Sequence, residues 1–135
     1  MTDAERQRLL EEAWKGREQS YSPYSHFPVG AAVLGEDGTI YRGCNIENAS
    51  YGASNCAERT AIFQAAAQGC RKIRALAVVG AADGPTWPCG ICRQVMREFG
   101  SADMEILIGT GKTTYLLYTL EELLPHAFGP EALKK

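Results

Sequence analysis

Residues 56–79 read CAERTAIFQAAAQGCRKIRALAVV, and this stretch decides the fold. Its first part, Cys56 to Gln68, carries Ala57, Ala61, Ala65, Ala66 and Ala67 together with Ile62 and Phe63. Alanine is the strongest helix former and Gly69 is well placed as a stop, so a helix is predicted over residues 56–68. The helix is mostly apolar, and burial is expected for it. Its second part, Ile73 to Val79, is a short and almost continuous apolar run. Such a run suits a central strand covered on both faces.

Working outward, residues 3–18 place Leu9, Leu10 and Trp14 at helical spacing among charged residues. Ser20 to Pro28 holds two prolines and reads as turns. Val29 to Leu34 and Thr39-Ile40-Tyr41, running towards Cys44, flank Asp37-Gly38 and read as a hairpin. Beyond Val79, Asp83-Gly84-Pro85 breaks the chain, and a second helix is expected to start near Cys89 and run through Arg93, Val95, Met96 and Phe99 to Gly100. Strands follow at Met104–Ile108 and Thr113–Leu117. Thr119 then caps a short helix that Pro125 ends. A hairpin followed by alternating helix and strand implies an α/β sandwich with a mixed, five-stranded sheet in a single domain, residues 1–135.

The chain has 135 residues, enough for one core, with 45% hydrophobic and 22% charged residues, which excludes a disordered chain. Its net charge is −2 with no basic run, so a nucleic-acid partner is not expected. No apolar run approaches the roughly 20 residues of a membrane span, and a cytoplasmic protein is expected. Five cysteines, an odd number, make a poor disulfide framework and favour reduced or metal-bound thiols.

Three of those cysteines open predicted helices. Cys56 begins one, and Cys89 and Cys92 flank Gly90-Ile91 at the start of another. Free N–H groups and the macrodipole at helix N-termini favour thiolates. Two such termini converging would hold three thiolates around a soft dication, and zinc suits them. A catalytic zinc keeps one position for water, and Glu58, two residues after Cys56, is placed to act on it. A lone C-x-x-C is a weak signal; C-x-E paired with P-C-x-x-C, each opening a helix, is far stronger. The pair matches the zinc nucleobase deaminases, with the glutamate as proton carrier and not a ligand.

The resemblance extends along almost the whole chain. Tyr24-Ser25-His26-Phe27-Pro28-Val29-Gly30-Ala31-Ala32, Gly43-Cys44-Asn45-Ile46-Glu47-Asn48-Ala49-Ser50-Tyr51-Gly52, Cys56-Ala57-Glu58-Arg59-Thr60-Ala61, Pro88-Cys89-Gly90-Ile91-Cys92-Arg93-Gln94 and Leu123-Leu124-Pro125-His126-Ala127-Phe128-Gly129-Pro130 resemble the cytidine deaminase family, in its short, homotetrameric branch. Trp87 departs from the pattern, where a smaller residue is expected, and Ala53-Ser54-Asn55 is variable.

The resemblance implies a three-layer α/β/α sandwich and a hydrolase of pyrimidine salvage, acting on a cyclic amidine C–N bond. It would convert free cytidine and deoxycytidine to uridine and deoxyuridine with release of ammonia. One Zn2+ per subunit would be held by Cys56, Cys89 and Cys92. Glu58 would carry a proton from the zinc-activated water to the ring and then to the leaving amine. Arg59 would hydrogen-bond a ligand sulfur, the alternative being a surface salt bridge. Phe27, Asn45, Glu47 and Ala57 would bind substrate, with Asn45 and Glu47 on the sugar 3′-hydroxyl. Without the resemblance, turn chemistry and surface charge would serve for those two, and core packing for Phe27. Ala49, Tyr51 and Phe128 would reach across subunit interfaces. His26, His126, Cys44 and Cys70 are not expected to bind metal. Two other readings use the same motifs: a deaminase of another substrate, such as a polynucleotide or blasticidin, and a zinc-stapled interaction domain with a fourth protein ligand drawn from Cys44 or Cys70.

Overall fold

A computed structural model describes residues 1–134; Lys135, the last residue of the expected domain, lies outside them. Helix α1 spans Asp3–Arg17. It starts with a capping box in which Thr2 accepts from the Glu5 N–H at 3.1 Å and donates its own N–H to the Glu5 carboxylate at 2.8 Å. Strands β1 (Gly30–Gly35) and β2 (Ile40–Cys44) form the hairpin, with Gly38 at φ +86° in its turn. Helix α2 (Ala57–Ala67), strand β3 (Ile73–Val79), helix α3 (Gly90–Phe99), strands β4 (Glu105–Gly109) and β5 (Tyr115–Thr119) and helix α4 (Leu120–Leu123) follow.

The sheet runs in the order β2-β1-β3-β4-β5. β3 and β4 are parallel and the other three pairs antiparallel, so the sheet is mixed. Alternation along the strands builds two cores. Ala32, Leu34, Ala75, Ala77, Val79 and Leu107 face α1. Ala31, Val33, Leu76, Val78, Ile106 and Ile108 face α2 and α3. This is the three-layer α/β/α arrangement.

Two expectations shift. Helix α2 is not buried throughout: Ala57, Glu58, Ala61, Ile62 and Ala65 are buried, but Phe63 is 46% exposed. Composition measured the helix's apolarity, not which stripe meets the sheet. The last strand begins two residues later than expected, because Thr113 and Thr114 belong to a turn in which the Thr110 N–H donates to the Thr114 carbonyl at 3.0 Å.

The order of elements decides where the site lies. α2 leads into β3 and α3 returns from it, on the same face of the sheet. Each runs back along β3, so both helix N-termini lie at its C-terminal end, beside Val79. Gly30 pairs with both Val79 and Cys44, so the residues before β1 and after β2 reach that same end. α2 is also seated closely on β2. A Cβ on Gly43 would lie 2.4 Å from the Ala61 nitrogen and 2.5 Å from the Ala57 carbonyl oxygen.

Gly43→Ala is therefore expected to lower the unfolding free energy by about 1–3 kcal/mol, since backbone atoms must move to admit the methyl. At Gly84 an added methyl meets nothing within 4 Å, and Gly84→Ala is expected to stay within about 0.5 kcal/mol of the parent. Equal losses in a denaturant titration would refute this seating of α2 on β2.

Candidate functional site

Cys56 and Cys89 are the N-cap residues of α2 and α3, and Cys92 is in the first turn of α3. Neither cap side chain accepts a backbone hydrogen bond, which leaves both sulfurs to face one another. The Cys56 and Cys89 sulfurs are 3.9 Å apart, and those of Cys89 and Cys92 are 3.3 Å apart. All three lie within 4.8 Å of one another. Sulfurs bound tetrahedrally to zinc at about 2.3 Å would stand about 3.8 Å apart, so this group fits the ion that the motifs imply. Cys44 and Cys70 lie elsewhere: the first donates to the Gln19 carbonyl and the second approaches the Lys72 carbonyl. Among the described residues, no other group of three or more histidine, cysteine or acidic side chains is gathered in this way.

The electrostatics of the trio are uneven. Interaction with the Cys92 thiol, assisted by Arg59, holds the Cys56 thiol down at about 5 despite its partial burial. The same pairing, together with burial, pushes Cys92 up. An Arg59 Nη2 donates to the Cys56 sulfur at 3.3 Å, so this guanidinium serves a sulfur and not a surface carboxylate. Its Nε is buried and has no hydrogen-bond partner.

Glu58 is the one buried charged residue among those described, 4% exposed. It sits in the first turn of α2, beside Ala57, which is fully buried. Burial pushes the Glu58 carboxyl up to about 7, and the nearby Cys56 charge adds to the effect. A carboxyl so placed is poised both to take and to give a proton near neutral pH.

Asn45-Ile46-Glu47 continues past β2 as an extended segment. Ile46 exchanges both backbone hydrogen bonds with Asn55, each at 2.9 Å. The Tyr21 N–H donates to the Asn45 carbonyl at 3.0 Å, and the Glu47 N–H to the Tyr21 carbonyl at 2.8 Å. Asn45 and Glu47 thus share one side of an anchored segment, next to the start of α2. Both also hold the preceding loop. Asn45 donates from Nδ2 to the Phe27 carbonyl and accepts from the Val29 N–H, each at 2.9 Å, and from the Ser20 hydroxyl. Glu47 accepts from the Tyr24 N–H at 2.9 Å, the Ser25 N–H at 3.1 Å and the Ser25 hydroxyl. Those bonds, the Ser25 hydroxyl's first, keep the Glu47 carboxyl below its ordinary range.

An amide nitrogen has two donors and a carboxylate about four acceptor sites. After these contacts, one Asn45 donor and one Glu47 acceptor site remain. That is the complement of a hydroxyl group. A cavity of about 340 Å³ adjoins Glu47 and is lined also by Tyr24, Ser25, Tyr51 and Ser54.

Phe27 is half-exposed, with its ring tip 2.9 Å from where a Cβ on Gly80 would stand, and Thr86 closes on the same spot. The ring therefore borders the end of β3 instead of filling the core. Ala49 is exposed, as are Tyr51 (76%) and Phe128 (60%). His26 and His126 both adopt positive φ, 56° and 53°, and neither joins the sulfur group. Trp87 packs edge-to-face on Tyr118, with centroids 5.5 Å apart. The roles of Ser20 and Ser25 in holding Asn45 and Glu47 have no signal in the sequence, since the partners lie 25 and 22 residues away.

A model of the cytidine and deoxycytidylate deaminase zinc-binding region matches residues 3–108. A cytidine deaminase of Sporosarcina psychrophila is 53% identical over 127 residues, 94% of this chain and 93% of that protein. The crystal structure of a cytidine deaminase from Burkholderia pseudomallei superposes with a TM-score of 0.86 at 48% identity, covering 95% of this chain and all of that one. One from Mycobacterium tuberculosis gives a TM-score of 0.80 at 38% identity over 90% of this chain and 95% of that one.

In zinc-free protein, alkylation by iodoacetamide at neutral pH is expected to label Cys56 well before Cys92, because only the thiolate reacts. The Cys56 rate should fall only as pH drops towards about 5. Arg59→Gln removes a donor that favours the thiolate, so labelling of Cys56 should slow. Peptide mass mapping that finds Cys92 labelled first would contradict these electrostatics.

Proposed function

The chain belongs to the cytidine and deoxycytidylate deaminase family, and from that membership we infer that it is a zinc-dependent cytidine deaminase. It hydrolyses free cytidine and deoxycytidine to uridine and deoxyuridine, releasing ammonia, in pyrimidine salvage. The observation that carries this reading is a buried carboxyl in the first turn of the helix that Cys56 caps, beside a three-sulfur group with no fourth protein donor among the described residues. A closed zinc staple would need that fourth donor.

We propose that Cys56, Cys89 and Cys92 hold the ion. When bound, zinc supplies the Lewis acidity that makes water nucleophilic near neutral pH. Glu58 takes the proton that the water gives up and delivers it to N3 of the pyrimidine as C4 is attacked. It then takes the proton of the new C4 hydroxyl and passes it to the departing amine, so that the C4 carbonyl forms as the C4–N bond breaks and ammonia leaves. A single carboxyl pushed up to about 7 suits both transfers. Arg59 steadies the Cys56 sulfur. Asn45 and Glu47 hold the sugar 3′-hydroxyl with their remaining donor and acceptor. Phe27 flanks the ring, and Ala57 contributes to the substrate pocket at the start of α2.

The reading takes residues 1–135 as one catalytic domain, working as a cytoplasmic homotetramer. Tyr51 and Phe128, large aromatics turned outward, support contacts with a neighbouring subunit's site, as does exposed Ala49. No helix among the described residues is long and apolar enough to cross a membrane.

Glu58→Gln is expected to abolish turnover, by at least about 10²-fold, while leaving about one zinc per subunit by metal analysis. Loss of the metal together with activity would show that Glu58 does more than move protons. On a panel of cytidine, deoxycytidine, cytosine, CMP, single-stranded DNA and blasticidin S, followed by ultraviolet absorbance, the two nucleosides should be converted fastest. Faster conversion of the polynucleotide or of blasticidin S would replace this assignment with the corresponding rival activity. Zinc retained with no turnover on any of them would favour a structural staple.

A further inference from the structure

We propose that Arg93 is a positioning residue that fixes the Cys89-bearing turn and the C-terminal tail in one frame, and so governs how firmly the metal is held. The proposal rests on the zinc assignment above.

Arg93 is half-buried and directly follows Cys92 in the first turn of α3. Its Nε donates to the Pro88 carbonyl at 2.9 Å, and its Nη1 donates to the Leu123 carbonyl at 2.8 Å. The Pro88 carbonyl belongs to the peptide bond whose nitrogen is that of Cys89. A peptide plane held at its oxygen cannot rotate without breaking that bond, so the guanidinium restrains the backbone from which the Cys89 side chain projects. Leu123 closes α4, a helix of four residues, whose last carbonyls have no partner within it. Arg93 satisfies one of them and ties the end of α4 to the metal-bearing turn. The next residue, Gln94, donates to the Phe128 carbonyl at 2.8 Å, which fastens the tail to the same helix turn.

No carboxylate pairs with Arg93 among the described residues. Its hydrogen bonds to backbone carbonyls come from a planar fork reaching two oxygens on separate elements. Lysine has one rotatable ammonium and cannot reproduce that geometry. Hydrogen-bond partners that orient metal ligands typically change metal affinity or activity by about 10–100-fold when removed.

The test compares the zinc-loaded parent with Arg93→Gln and Arg93→Lys by the rate of zinc transfer to a chromophoric chelator. The visible spectra of the cobalt-substituted proteins and their far-ultraviolet circular dichroism complete the comparison. Both variants should keep the parent's dichroism yet release zinc about 10–100-fold faster, with shifted cobalt bands. Arg93→Lys should recover little of the loss. Parent-like release and cobalt spectra in both variants would overturn the proposal, as would full recovery by lysine. Loss of native dichroism in both would overturn it too, since Arg93 would then be holding the fold and not the turn. A parent protein that deaminates cytidine normally beside unaffected variants counts against Arg93 alone. A parent that neither holds zinc nor turns over cytidine overturns both readings.

Discussion

Two helix starts aimed at one spot are the constraint on which the rest of the structure depends. Three sulfurs gathered there repel one another as they ionise. Two unit charges 4 Å apart at an effective dielectric of about 20 interact by about 4 kcal/mol, so full ionisation needs compensation. The opposite shifts of Cys56 and Cys92 express this: as one sulfur gives up its proton, its neighbour keeps hold of its own. The free N–H groups of both helices and the Arg59 guanidinium offset part of the charge. A dication held by the three sulfurs would offset more of it. Burial, with a smaller contribution from the Cys56 charge, keeps the Glu58 carboxyl from ionising early. The Cys56 charge thus bears both on the sulfur group and on the proton-carrying carboxyl.

The side formed by Asn45 and Glu47 is built differently. Asn45 and Glu47 spend most of their hydrogen-bonding capacity on the loop from Ser20 to Val29. That outlay immobilises both side chains before any ligand arrives and fixes Phe27 between them and Gly80. A site ordered in advance loses less entropy on binding. The structural role expected of Asn45 without the family resemblance is thus present, and it coexists with a free donor for a ligand.

Much of this was legible in the sequence, and the failures have physical causes. The two cysteine motifs mark helix starts because their spacing is local to one turn. Alternation along β3 could not be read, since both faces are apolar, yet the run itself marks a central strand. Phe63 was misplaced because composition does not say which stripe of a helix meets a sheet. Thr113 and Thr114 favour strands intrinsically, but cross-turn hydrogen bonds claim Thr114, and the Thr113 carbonyl accepts from Gln7 of α1. Arg93 looked like one more residue of a motif. Its partners, Pro88 and Leu123, are five and thirty residues away, and the second becomes a neighbour only after β4 and β5 have been laid down.

The hairpin turn from Glu36 to Thr39 is exposed and lies at the far end of β1 from Gly30, the end where the chemistry is assembled. It joins β1, which is paired on both flanks, to the edge strand β2, which pairs with β1 alone, and it touches none of the residues placed in the site. The molecule thus has a handle opposite its working face. A protein immobilised through that turn would present its pocket outward from a support, with the sheet as a rigid spacer between anchorage and reaction.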